Sequence, residues 1–244
     1  VAASVASTQA TEVDAMNRIL FRARARKFAI AFAGTTTLLI GGIGLLHTSS
    51  WGRSTLAKVA GCPIETSPVV LEQMRMTATK ATRGGVQSPA RPALGFALDE
   101  MSAEQAEAWA DEHHVDCDSQ RRGTLLVCKH VDGALVREPG APSIDELALE
   151  FSPDKSRLVN VSTFRSGLSA VEATISYNQL SHQLEGTLGN PTTSSGDANV
   201  GQMASAMNVS GVSYRFQDYE AQVTAVSIPD HGVALREHFM SARD

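Results

Sequence analysis

Nineteen residues from Phe28 to Leu46, FAIAFAGTTTLLIGGIGLL, carry no ionisable side chain. At about 1.5 Å per residue, a helix of that length reaches roughly the 30 Å of a bilayer's hydrocarbon core with every backbone polar group satisfied internally. The run therefore predicts one membrane-spanning helix. A cleaved signal peptide is the rival reading, but its apolar core is usually about 7 to 15 residues long. The tetrad Val59-Ala60-Gly61-Cys62 looks like a lipoprotein cleavage box, yet the polar stretch from His47 to Lys58 separates it from the apolar run.

Beyond the run the periods change. Ser67-Pro68 has the form of an N-cap followed by proline at the first helical position, and predicts a helix to about Arg83. The Gly- and Pro-rich residues 84–95, GGVQSPARPALG, read as a linker or extended arm. Ser102 with Gln105 is a capping-box pattern opening a helix over 103–114, with Ala106, Trp109, Ala110 and His113 on one face. Strands are predicted at Thr124 to Val131, Glu146 to Phe151 and Arg157 to Phe164, the last two joined by a turn at Pro153-Asp154-Lys155.

The pattern then repeats. Ser169 with Glu172 forms a second capping box, and Ala173, Tyr177, Leu180, Leu184 and Leu188 line one side of a helix that Gly189-Asn190-Pro191 stops. Residues Thr192 to Gly201 read as a flexible loop. Val212, Tyr214 and Phe216 alternate with polar residues, and strands at Tyr219 to Ile228 and Val233 to Met240 flank the turn Pro229-Asp230-His231-Gly232. A helix followed by three strands thus occurs twice, which raises a weak internal duplication. The fold class expected is α+β: a single transmembrane helix, then an exported domain of antiparallel sheet with two helices packed on it. The division is a cytoplasmic arm over 1–27, the span over 28–46, a juxtamembrane helix and linker over 47–95, and the α+β domain over 96–244.

Charge fixes the orientation. Arg18, Arg22, Arg24, Arg26 and Lys27 precede the span, whereas only Arg53 and Lys58 follow it closely. The positive-inside rule puts the N-terminus in the cytoplasm, with Arg22, Arg24, Arg26 and Lys27 at one headgroup layer and Trp51 at the other. Residues 1–50 hold five basic and two acidic side chains, so the −5 of the whole chain leaves −8 for the remainder. An acidic exported domain is a poor match for nucleic acid or anionic lipid, both of which need a basic surface. Arginine outnumbers lysine sixteen to five, a bias in keeping with a high-GC bacterial genome.

Within the span, Ala29, Ala33, Thr37 and Gly41 recur every fourth residue. Small residues at that spacing let two helix backbones approach closely, so this stripe is the candidate contact with other membrane subunits. The span holds no charged residue or histidine, and nothing in it suits a proton relay or a cofactor ligand.

In the exported part, Cys117 and Cys128 flank Arg122-Gly123, which can turn the chain back, and are expected to form a disulfide; Cys62 is left over. The same region gathers His113, His114, Asp116, Asp118 and His130, but without the paired spacing of a zinc site, so no metal or cofactor is assigned. Ser169 lacks the glycine that would complete a nucleophile elbow and reads as a cap. Arg215, Asp218, Glu220, Arg236, Glu237 and His238 read as cross-strand pairs on a solvated face sooner than as a catalytic cleft. The expected function is a non-catalytic, single-pass accessory or structural subunit of a larger bacterial membrane complex, respiratory or photosynthetic, in the inner membrane with its domain in the periplasm. Its partners would be membrane subunits met through the span and N-terminal arm, and the bilayer itself. The alternative is a free-standing anchored periplasmic enzyme or ligand binder using Thr192 to Gly201 as a lid.

Overall fold

Alternation of apolar residues dictates where the sheet lies. The computed structural model describes residues 67–137 and 140–243. The span, its stripe and the interface residues Arg22, Arg24, Arg26, Lys27 and Trp51 lie outside them. Among the described residues no helix is long and apolar enough to cross a membrane. In chain order the elements are α1 (Pro68–Thr82), α2 (Ala103–Glu112), β1 (Cys117–Gln120), β2 (Leu125–Val131), β3 (Ile144–Phe151) and β4 (Leu158–Leu168). There follow α3 (Ala170–Leu188), β5 (Thr193–Ser195), α4 (Val200–Met203), β6 (Val209–Arg215), β7 (Tyr219–Ile228) and β8 (Gly232–Ser241).

The eight strands form one antiparallel sheet in the order β1-β2-β3-β4-β8-β7-β6-β5. Each half of the chain contributes a helix and then a four-strand meander, and the last strands of the halves, β4 and β8, pair at the centre. The sequence pattern shows three strands per half because the fourth, β1 or β5, is a short polar edge strand, exposed along nearly all its length. An edge strand is held by its ladder on one side, not by burial, so it leaves no apolar alternation to read.

Both capping boxes form. Ser102 Oγ accepts from Gln105 N–H while Ser102 N–H donates to the Gln105 side chain, and Ser169 and Glu172 do the same for α3. The apolar stripe Ala173, Tyr177, Leu180, Leu184 and Leu188 is buried, and α3 crosses β4, β8 and β7. Facing it, Leu147, Leu149, Val161, Val223, Ala225 and Leu235 are buried as every second residue of their strands. Helix α1 lies on the opposite face, where Thr82 donates to Glu220 at 2.6 Å, Thr79 touches Met240, and Arg75 reaches the Ser241 carbonyl at 2.5 Å.

Residues 84–95, read from sequence as a linker or arm, run as a strap against the domain. Gly84 N–H donates to Phe216 O at 3.2 Å and Gln217 N–H to Val86 O at 2.7 Å. Ser88 N–H donates to Asp218 at 2.9 Å, Tyr219 OH bonds the Pro92 carbonyl, and Ala93 is buried in the core. A side chain at position 84 would put its Cβ 2.1 Å from Arg215 O, so glycine lets the strap start flush on the strand. Arg91 then bonds Asp99 at 2.5 Å, in a cluster completed by Ser241, Asp218 and Arg243.

Cys117 and Cys128 are register partners on β1 and β2, with their sulfurs 2.02 Å apart. By the chain-entropy argument, a bridge over so short a loop stabilises by about 2–3 kcal/mol. It pins the otherwise weakly held edge strand.

Candidate functional site

The central pair of strands carries charge on the wrong face for a solvated ion pair. Along β8, Leu235 and Phe239 point to the helices, so Glu237 between them does too, and it is only 3% exposed. On β4 the same face carries Val161, Thr163 and Arg165; Thr163 is the register partner of Glu237 and Arg165 that of Leu235. Thr163 Oγ1 donates to Glu237 Oε1 at 2.8 Å, and Arg137, from the connection between β2 and β3, pairs with the same carboxylate oxygen.

Arg165 is different. It is 8% exposed, yet among the described residues none accepts a hydrogen bond from its guanidinium or stands within ion-pair distance of it. Burial lowers its pKa from the usual arginine value; Glu237 opposes that shift, Arg137 adds to it, and Asp145 opposes it weakly. A guanidinium starts so far above neutrality that it remains a cation here.

These groups sit at the base of a cleft of about 490 Å³. One wall is α3, which presents Ser176, Gln179 and Thr187 beside the apolar Leu180 and Leu184. The opposite rim is formed by the end of the strap, Pro92 to Gly95, and by Gly140, Ala141 and Pro142 of the β2–β3 connection. Ile144 and Phe239 complete an apolar floor around the charges. The connection is held close at Gly133, where a Cβ would lie 2.2 Å from the Pro142 carbonyl oxygen. Among the described lining residues there is no histidine or cysteine.

The other candidates are scattered. Asp218 belongs to the strap cluster, Glu220 accepts from Thr82 of α1, and Arg236 and His238 lie on the face opposite Glu237. His238 has a pKa lowered to about 4, by burial first and by Arg236 second, with Glu150 pulling the other way. His113 ends α2 with its ring edge-on to Trp109 at 5.4 Å. Cys117 and Cys128 are consumed by each other, and among the described residues no three His, Cys, Asp or Glu side chains group as a metal site would require. Ser169 is the N-cap of α3. The segment Thr192 to Gly201, expected as a loop or lid, holds β5 and the start of α4 and lines no part of the cleft.

Sequence reading missed Arg165, Thr163 and Arg137, and put Glu237 on the solvated face. The signal for Glu237 was present, since residues 235, 237 and 239 share a face and Leu235 and Phe239 are apolar. For Arg165 it was weak, because β4 continues through the polar Arg165-Ser166-Gly167 beyond its apolar pattern. No protein-family model matches the chain, and neither the curated proteins nor the solved structures give a match.

Proposed function

We propose that this chain is a non-catalytic, single-pass accessory subunit of a larger bacterial membrane complex, bioenergetic in kind, with its α+β domain on the periplasmic face. The observation that carries the reading is the uncharged run Phe28 to Leu46 behind Arg22, Arg24, Arg26 and Lys27. The paired cysteines support an oxidising compartment for the domain. Among the described residues of the cleft the charged groups are two guanidiniums and a carboxylate already engaged by Thr163 and Arg137, an arrangement suited to holding charge more than to moving protons. The stripe Ala29, Ala33, Thr37 and Gly41 and the N-terminal arm would meet the neighbouring subunits.

Purification from native membranes in mild detergent tests this directly. Comigration with a defined larger complex is the expected result, and Ala33→Leu with Gly41→Leu should weaken it while leaving the domain folded. A chain that migrates alone or as a homodimer would overturn the reading. The cleft favours a second reading, a free-standing anchored ligand-binding protein, and that outcome would select it.

A further inference from the structure

Arg165 is buried along its stem, while its guanidinium nitrogens stay open to the cleft and have no partner among the described residues, so they are placed to meet a ligand that enters it. Glu237 and Asp145 favour the cation at position 165 only through space, without a direct contact. Its nearest neighbours on the same face are Thr163 along β4 and Leu235 across on β8, with Glu237 diagonal to it. Glu237 does not supply the missing partner, since its Oε1 already takes Thr163 and Arg137 and no atom of it comes within 4.0 Å of a guanidinium nitrogen of Arg165. Among the described lining residues the cleft therefore holds two positive side chains and one negative one, a balance of a single positive charge.

We infer that this cleft binds the carboxylate of an organic monoanion, with Arg165 as its principal ligand and the apolar floor taking the carbon chain. Charge selects the class. A carboxylate cancels the excess, whereas a dianionic phosphate would leave a net negative charge in a low-dielectric site. Shape agrees, because the planar guanidinium fork matches a carboxylate bidentately. Ile144, Leu180, Leu184 and Phe239 offer apolar contact near the charge, and Ser176 and Gln179 on α3 add polar atoms at the rim. A cleft of about 490 Å³ is within the range of small-molecule sites, roughly 300–1,000 Å³. The same chemistry would be met by a small branched-chain acid or by the C-terminal carboxylate of a peptide with an apolar last residue.

The full chain in detergent micelles, titrated by calorimetry with 4-methylpentanoate, with Ala-Ala-Leu bearing a free or an amidated C-terminus, and with inorganic phosphate, tests the inference. Saturable binding of 4-methylpentanoate, weakened about tenfold or more by Arg165→Gln and several-fold by Arg165→Lys, is the expected result. If the free peptide also binds and its amide does not, the site accepts chain termini; if only the small acid binds, it takes small organic acids. No saturable binding by the wild-type chain, equal binding by the Gln variant, or preference for phosphate overturns the inference. The Lys variant, which keeps the charge, carries the comparison if the Gln variant does not fold. The outcome is separable from that of the subunit reading. A chain that migrates alone but binds the acid overturns only the subunit reading, and one that comigrates but binds nothing overturns only this one.

Discussion

At the seam between β4 and β8, Thr163 and Glu237 face the helices, while their chain neighbours Ser162, Arg236 and His238 face the other way. On the α3 side the charges are few and largely buried, and they line a cleft. On the other side, pairs such as Lys129–Glu146 and Arg121–Glu150 stand in solvent, with Lys129 52% exposed and Glu146 39%. The strands present mostly apolar residues toward α3 and polar or charged ones away from it, so a charge meets a very different medium on the two faces. A charge under α3 loses hydration that only a fixed partner restores, whereas the Lys129–Glu146 and Arg121–Glu150 pairs, on the part of the other face that α1 leaves uncovered, keep water and gain little from each other. The comparison predicts that equivalent truncations have very unequal effects.

The largest effect is expected from Glu237→Ala, which removes the buried carboxylate paired with Arg137. Breaking a buried pair in this way typically costs about 3–5 kcal/mol, and urea unfolding should show a loss of that order. Glu150→Ala, on the open face, also removes a carboxylate with an arginine partner, and should cost less than about 1 kcal/mol. Similar losses in the two variants would remove the distinction between the faces.

Next in size is Gly133→Ala. Its Cβ would meet the Pro142 and Ala141 carbonyl oxygens at 2.2 and 2.7 Å, and backbone cannot step aside as a side-chain tip can. Overpacking of this kind costs about 1–3 kcal/mol. The displaced connection carries Arg137, so the variant should also weaken whatever the cleft holds. Gly85→Ala, where a Cβ meets nothing within 4 Å, is the matched control and should be near neutral. A normal unfolding midpoint for Gly133→Ala would show that the connection does not hold the cleft's rim.

Much of this architecture was legible in the residues. The capping boxes at Ser102 and Ser169 and the alternation of β7 follow from local chemistry that tertiary contacts reinforce. What escaped was set by non-local pairing. β1 and β5 are strands because β2 and β6 offer them ladders, and their own polar residues say nothing of it. Arg165 lay one residue past the strand expected to end at Phe164, and only the register of β4 on β8 reveals that it shares a buried face with Glu237. The strap of 84–95 has a loop's composition, and its attachments are backbone bonds and an aspartate more than a hundred residues away. Composition cannot report contacts at that separation.

On the face away from α3, His238 is desolvated and gives the domain an acid sensitivity of its own. His238 in the folded chain has a pKa near 4, against an ordinary 6.5. Between those values the unfolded chain takes up a proton that the folded chain refuses. Its contribution is therefore complete above pH 6.5 and is lost as pH falls to about 4. With partial exposure, the loss should amount to about 1–2 kcal/mol. Unfolding free energies at pH 7.0 and 4.5 for wild type and His238→Gln isolate it, and the variant should show a shallower fall. Parallel pH profiles would mean that His238 titrates in the fold as it does in water.

The smallest effect should come from Lys129 and Glu146, which sit directly opposite each other on β2 and β3. Their charges are paired in the structure, but both side chains reach solvent and must give up rotamer freedom to meet. A double-mutant cycle with Lys129→Ala and Glu146→Ala should return a coupling of about 0.2–0.5 kcal/mol, shrinking further as salt screens the pair. A coupling above about 1 kcal/mol that persists at high salt would place this pair with Arg137–Glu237. The contrast between the faces would then lie in which residues occupy them, not in the medium around the charge.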